Sequence, residues 1–95
     1  MEKLRIVILY GSESDKPYME AGKEYLSRSG IEFEERVLSV HRQFDELNRY
    51  LDELRKDPGV GVVLAVAGLS AALPGIVAVK LQVPVIGVPV PGGPL

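Results

Sequence analysis

Four short apolar runs, separated by stretches of helical period, constrain this chain more than any other feature. They are Arg5 to Tyr10 (RIVILY), Phe33 to Leu38 (FEERVL), Val60 to Ala67 (VGVVLAVA) and Val83 to Val90 (VPVIGVPV). The first and third are apolar almost throughout, without a polar alternate. A strand of that kind is buried on both faces, as in a parallel sheet. The second carries Glu34, Glu35 and Arg36 and belongs nearer an edge. The prolines of the fourth weaken its ends. Between the runs, Tyr18, Met19, Gly22, Tyr25 and Leu26 recur at helical spacing, with Ser14 or Asp15 as the cap and Pro17 in the first turn. Gly30 fits the end of that helix. Phe44, Leu47, Leu51 and Leu54 mark a second helix, which stops before Asp57-Pro58-Gly59. Ala71 to Lys80 reads as a third, with Pro74 in its first turn.

The order β-α-β-α-β-α-β predicts an α/β fold, a flavodoxin-like three-layer α-β-α arrangement around a four-stranded parallel sheet. Ninety-five residues make one domain, 1–95. A chain of that size removes only roughly 60–65% of its unfolded surface from water. Cysteine is absent and histidine occurs once, which excludes a disulfide framework, a thiol nucleophile and a multi-histidine zinc centre. The net charge is −2 and tryptophan is absent, so neither a basic patch for nucleic acid nor a stacking platform is expected. The N-terminus runs straight into a strand, without the apolar core of a signal peptide, and no apolar run reaches the ~20 residues of a membrane span. A soluble, cytoplasmic domain is expected, with no membrane partner.

Parallel sheets bind ligands beyond the carboxyl ends of their strands. That rule selects three loops. Gly11-Ser12-Glu13-Ser14-Asp15 offers a tight turn, hydroxyls and backbone N–H groups for an anion, and Asp15 suits ribose hydroxyls. A plain capping sequence explains it equally well. Ser39-Val40-His41-Arg42 holds an imidazole that titrates near neutrality and a guanidinium fork for phosphate. An incidental surface pair is the competing reading. The segment from Gly68 through Leu69, Ser70, Ala71 and Ala72 to Leu73-Pro74-Gly75 is small and apolar, suited to a flat ring or to carbon dioxide, although ordinary helix-on-sheet packing gives the same composition. Glu32, Glu34, Glu35 and the charged cluster from Asp52 to Asp57 read as solvated faces.

Taken together, the loops resemble one family. Gly11-Ser12-Glu13-Ser14-Asp15 is similar to its Gly-Ser-x-Ser-Asp signature, and Ser39-Val40-His41-Arg42 to its Ser-Ala-His-Arg. Ala67-Gly68, Leu73-Pro74-Gly75 and Pro84-Val85-Ile86-Gly87-Val88-Pro89-Val90 are similar to its closing motifs. The family is the N5-carboxyaminoimidazole ribonucleotide mutase (PurE-type) family of purine biosynthesis, and the resemblance spans almost the whole chain.

The resemblance implies an aminoimidazole ribonucleotide-type substrate with carbon dioxide or bicarbonate. Ser12, Ser39 and Arg42 would hold the 5′-phosphate, and Asp15 would accept from the ribose. His41 would be the general acid–base, and Gly68, Leu69, Ser70, Ala71 and Ala72 would wall the base and the carbon dioxide. It further implies no metal or organic cofactor, and a homo-octamer with sites shared between subunits. Ala72 stands where the common bacterial form has a second histidine, while Leu73-Pro74-Gly75 favours the mutase over the direct carboxylase. Family chains continue past the fourth strand, so 1–95 is expected to lack the family's C-terminal segment. A non-catalytic nucleotide-binding or assembly module of the same fold is the alternative.

Overall fold

The computed structural model describes residues 3–68 and 72–91. Strands β1 (Arg5–Tyr10), β2 (Phe33–Val37), β3 (Val60–Ala67) and β4 (Val85–Pro89) form one sheet, in the order β2-β1-β3-β4. Every neighbouring pair is parallel. The α/β class, the four-stranded parallel sheet and the helical crossovers are those the apolar runs predict. β1 and β3 are central, and the charged β2 lies at an edge, as its composition requires.

Side chains leave a strand to alternate faces, so each run feeds two cores. Val7, Leu9, Val63, Ala65 and Ala67 face helices α2 (Phe44–Arg55) and α3 (Leu73–Lys80), where they meet Leu47, Tyr50, Leu51, Leu54, Leu73 and Val77. Ile8, Tyr10 and Val66 face the other way, toward Met19 and Leu26. Met19 closes a 3₁₀ segment (Glu13–Met19) that runs into α1 (Glu20–Arg28). One helix therefore covers one face and two cover the other.

Three local expectations change. Ser12, not Ser14 or Asp15, caps the 3₁₀ segment, its hydroxyl accepting the Ser14 N–H at 3.3 Å. The predicted apolar stripe of the first helix is only partly used: Met19 is buried, but Tyr18 and Tyr25 are exposed and α1 itself buries no residue. A single helix meets the sheet on that side, and Ile86 of β4 also stays 53% exposed. In α2, Tyr50 is buried beside Leu47, Leu51 and Leu54, whereas Phe44 stays 46% exposed. The end of α1 is as expected. Gly30 has φ +72, Ile31 N–H donates to Leu26 C=O and Gly30 N–H to Ser27 C=O, a doubly bonded cap that a side chain at Gly30 would strain.

Glu34, Glu35 and Asp57 are not free solvated charges. At the amino end of the sheet, Arg5 Nε donates to Glu34 at 2.6 Å and Arg5 Nη2 to Asp57 at 2.8 Å. Tyr50 donates to the second oxygen of Glu34 at 3.0 Å, and the Arg36 guanidinium stacks 4.6 Å from the Tyr50 ring centre. On the opposite face, the buried Tyr10 hydroxyl donates to Glu35 at 2.7 Å, and Lys23 of α1 reaches the same carboxylate at 3.2 Å. Adjacent strand residues point to opposite faces, so Glu34 and Glu35 serve separate networks.

Glu35 and Asp57 titrate low. Burial pushes Glu35 up, but hydrogen bonds from Tyr10 and Lys23 and the Lys23 charge outweigh it. The Arg5 hydrogen bond, with the Gly59 N–H, holds Asp57 down. A carboxylate whose pKa falls on folding stabilises the fold fully above its unfolded value of about 4, and that contribution disappears as pH drops through and below it. Thermal unfolding midpoints should therefore fall on acidification from about pH 5, and more steeply in the wild type than in the double variant Glu35→Gln, Asp57→Asn. Equal slopes in the two proteins would contradict this assignment.

Candidate functional site

Parallel pairing brings all four strand carboxyl ends to one edge. Tyr10 stands opposite both Val37 and Val66, and Ala67 opposite Pro89. The ladder runs one residue further at each junction: Leu38 N–H donates to Tyr10 C=O at 2.9 Å, Gly11 N–H to Val66 C=O at 3.0 Å, and Val90 N–H to Ala67 C=O at 3.0 Å. The loops that begin at Gly11, Ser39 and Gly68 thus leave from a single rim. The chain steps from β1 outward to β2, then back across β1 to β3, so strand order reverses between β1 and β3. Ligands of open α/β sheets bind at such a reversal.

The first loop folds back on itself. Ser12 and Ser14 place their hydroxyl oxygens 3.0 Å apart. Asp15 is 9% exposed, and among the described residues no hydrogen bond engages its carboxylate. One carboxylate oxygen lies 3.7 Å from where a Cβ on Gly11 would stand, and the Ala67 Cβ lies 3.6 Å from the same point. Asp15 is therefore folded over Gly11, on the side of β1 that faces the end of β3. Gly11 does not need a left-handed backbone, since only Gly30 has positive φ among the described glycines. A Cβ there would meet Ala67 and Asp15 at ordinary van der Waals distance.

The second loop is braced by Ser39 and Gln43. Ser39 Oγ accepts the Arg42 N–H at 3.3 Å, Ser39 C=O accepts the Gln43 N–H at 2.8 Å, and the Gln43 side-chain oxygen accepts the Ser39 N–H at 3.1 Å. This reciprocal pattern works like a capping box at the start of α2. It leaves Ser39 8% exposed while His41 and Arg42 project outward. Both line a cavity of about 420 Å³ with Gln43, Phe44, Asp45, Glu46 and Arg49. Ser12 and Asp15 are not in that lining.

Gly68 is half-buried at the end of β3, and Ala72 is exposed at the start of α3. Leu69, Ser70 and Ala71 lie outside the described residues. Ala72 lines a second, mainly apolar hollow of about 390 Å³ with Phe44, Asn48, Gly75, Ile76, Val79 and Lys80. Among the described residues, no group of three or more His, Cys, Asp or Glu side chains is placed to hold a metal ion. No described helix is long and apolar enough to cross a membrane.

Sequence reasoning missed Gln43 and Arg49. Asp45, Glu46 and Arg49 recur at helical spacing and so share one face of the first turns of α2, with Arg42 in the loop before them. That periodicity was a usable signal for the cavity. Gln43 carried none, because its role depends on the loop geometry at Ser39.

This is a parallel α/β domain, the class whose ligands bind beyond the strand carboxyl ends, and Asp15, His41 and Arg42 follow those ends here. Comparison with known proteins narrows the class. The AIR carboxylase family model matches residues 5–95, and the chain belongs to that family. It is 41% identical over 87 residues to an N5-carboxyaminoimidazole ribonucleotide mutase of Saccharolobus solfataricus, covering 92% of this chain and 54% of the relative. It is 40% identical over 95 residues to a phosphoribosylaminoimidazole carboxylase of Candida glabrata, covering 100% of this chain and 16% of that protein. The crystal structure of Treponema denticola PurE superposes with a TM-score of 0.87 at 29% identity, over 95% of this chain and 57% of that one. The chain thus spans about half the length of the mutase it matches.

The brace at Ser39 is open to a direct test. Ser39→Ala removes the acceptor for the Arg42 N–H and should lower unfolding free energy by about 1 kcal/mol in chemical denaturation. A change under ~0.3 kcal/mol would show that the hydroxyl does not hold this loop.

Proposed function

We propose that this chain carries the ribonucleotide-handling half of an enzyme that interconverts N5-carboxyaminoimidazole ribonucleotide and 4-carboxyaminoimidazole ribonucleotide. One observation carries this reading: the loops that begin at Gly11, Ser39 and Gly68 all leave the same rim, on either side of the strand-order reversal. The relatives' names, mutase and carboxylase, supply the reaction class.

In this reading Ser12, Ser39 and Arg42 bind the 5′-phosphate. Arg42 supplies the charge and the Ser39 hydroxyl proton remains free to donate, since its oxygen already accepts the Arg42 N–H. Asp15 accepts from the ribose hydroxyls. Its sheltered position favours a hydrogen-bonded sugar over bulk water. His41 moves the proton. It protonates the exocyclic nitrogen as carbon dioxide leaves it, and removes the C4 proton once C4 has attacked the carbon dioxide. The imidazole ends in its starting state, so one residue serves both directions. Gly68 to Ala72 walls the ring and keeps water from the carbon dioxide. No cofactor enters the scheme, and a cytoplasmic location goes with it.

Leu73-Pro74-Gly75 favours the mutase over direct carboxylation of aminoimidazole ribonucleotide. Assembly as a homo-octamer belongs to the same proposal. Its support is α3, whose outer side exposes Ala72, Gly75, Ala78 and a Val79 that is 86% exposed. A second reading, binding or assembly without turnover, is favoured by the open position of His41 and Arg42 in their cavity.

His41→Asn should cut carboxyl transfer by ~100-fold or more with nucleotide affinity nearly intact. Surviving turnover would remove His41 from the proton path. Binding without any turnover in the wild-type chain would select the second reading. Arg42→Ala should weaken ribonucleotide binding by ~1.5–3 kcal/mol in calorimetry, and unchanged affinity would exclude Arg42 from the phosphate site.

A further inference from the structure

The segment Gly11–Met19 contains the whole of the first candidate loop, and both of its ends are tied to one carboxylate. Tyr10 immediately precedes it, is wholly buried, and donates its hydroxyl to Glu35 Oε2 at 2.7 Å. Lys23, one helical turn beyond it, reaches Glu35 at 3.2 Å and Glu20 at 3.1 Å. Glu35 itself stands in β2, in register with Ile8, on a strand held by backbone pairing. Setting a buried phenol against a half-buried carboxylate is a poor way to gain stability, because desolvation offsets much of the attraction. Phenylalanine against an aliphatic residue would fill the same space. What the polar version adds is direction: one acceptor fixes where the chain leaves β1 and where it lands on α1. Burial and the Glu35 hydrogen bond hold the Tyr10 proton in place well beyond neutral pH.

We propose that Tyr10, Glu35 and Lys23 are positioning residues that set the Ser12–Asp15 turn, and thereby the affinity of that turn for the sugar-phosphate of a ribonucleotide. The ligand half rests on the function proposed above. The molecule contains a matched comparison. Tyr50 makes the same phenol-to-carboxylate bond, to Glu34 at 3.0 Å, but on the opposite face and away from the turn.

The test measures three properties of the 95-residue chain in Tyr10→Phe, Tyr50→Phe, Lys23→Met and Lys23→Arg. They are thermal unfolding, hydrogen exchange of the amides of residues 11–19, and calorimetric affinity for aminoimidazole ribonucleotide. Tyr10→Phe and Lys23→Met should speed exchange in that segment and weaken affinity roughly 5- to 10-fold, the loss of about one hydrogen bond. Lys23→Arg should restore both. Tyr50→Phe should lower the unfolding midpoint comparably yet leave exchange in 11–19 unchanged and affinity within about 2-fold. Lys23 lies at the half-exposed end of the network, so its variants decide the question even if Tyr10→Phe does not fold. Wild-type exchange and affinity in Lys23→Met would overturn the proposal. A wild-type chain that binds no aminoimidazole ribonucleotide would overturn the functional reading and the ligand half with it. The exchange arm would then still decide whether Glu35 sets the turn.

Discussion

β1 is hydrogen-bonded on both sides by parallel partners, and everything at the rim follows from that pairing. Parallel neighbours cannot be joined by a tight turn. Each connection must travel the length of the sheet again, and here each does so through a helix. The result is that every strand ends at the same edge. Loops more than twenty residues apart in sequence are delivered side by side before any side chain contributes. The ladder extends one residue past β1, β2 and β4, to Gly11, Leu38 and Val90, so these strand exits are held by backbone hydrogen bonds rather than by loop chemistry.

Polar networks act on top of this frame. The two central strands are apolar, and backbone pairing with hydrophobic burial accounts for them. The edge strand β2 is different, because its consecutive carboxylates face opposite layers. Glu34 collects Arg5 and Tyr50, and Glu35 collects Tyr10 and Lys23. Such half-buried groups contribute little net stability, but an acceptor with fixed lone pairs restricts the approach of its donors. A strand that reads as merely charged therefore anchors the helices on both faces of the sheet.

The recurrence of apolar runs made the fold legible, because burial on both faces leaves a continuous pattern that no surface segment needs. Ser39, His41 and Arg42 were legible as a group because they follow a strand. The brace between Ser39 and Gln43 was not, since two residues four apart in a loop have no periodicity to betray them. Phe44 misled for a related reason: it keeps helical phase with Leu47 and Leu51, yet it stays 46% exposed and lines an open hollow with Ala72 and Ile76 rather than the core. Tyr50 was hidden because its buried ring and its hydroxyl point to separate partners, the core and Glu34.

From the letters alone, this protein is committed to four parallel strands, three crossovers and a rim bearing one histidine. Local propensity and burial depend on composition and spacing, which the chain carries in itself. Tertiary packing decided which loop residues are sheltered and which project. Asp15 is folded over Gly11 beside Ala67, whereas His41 and Arg42 stand in a cavity along α2. Those positions depend on distances between atoms on different strands, and no one-dimensional pattern encodes them.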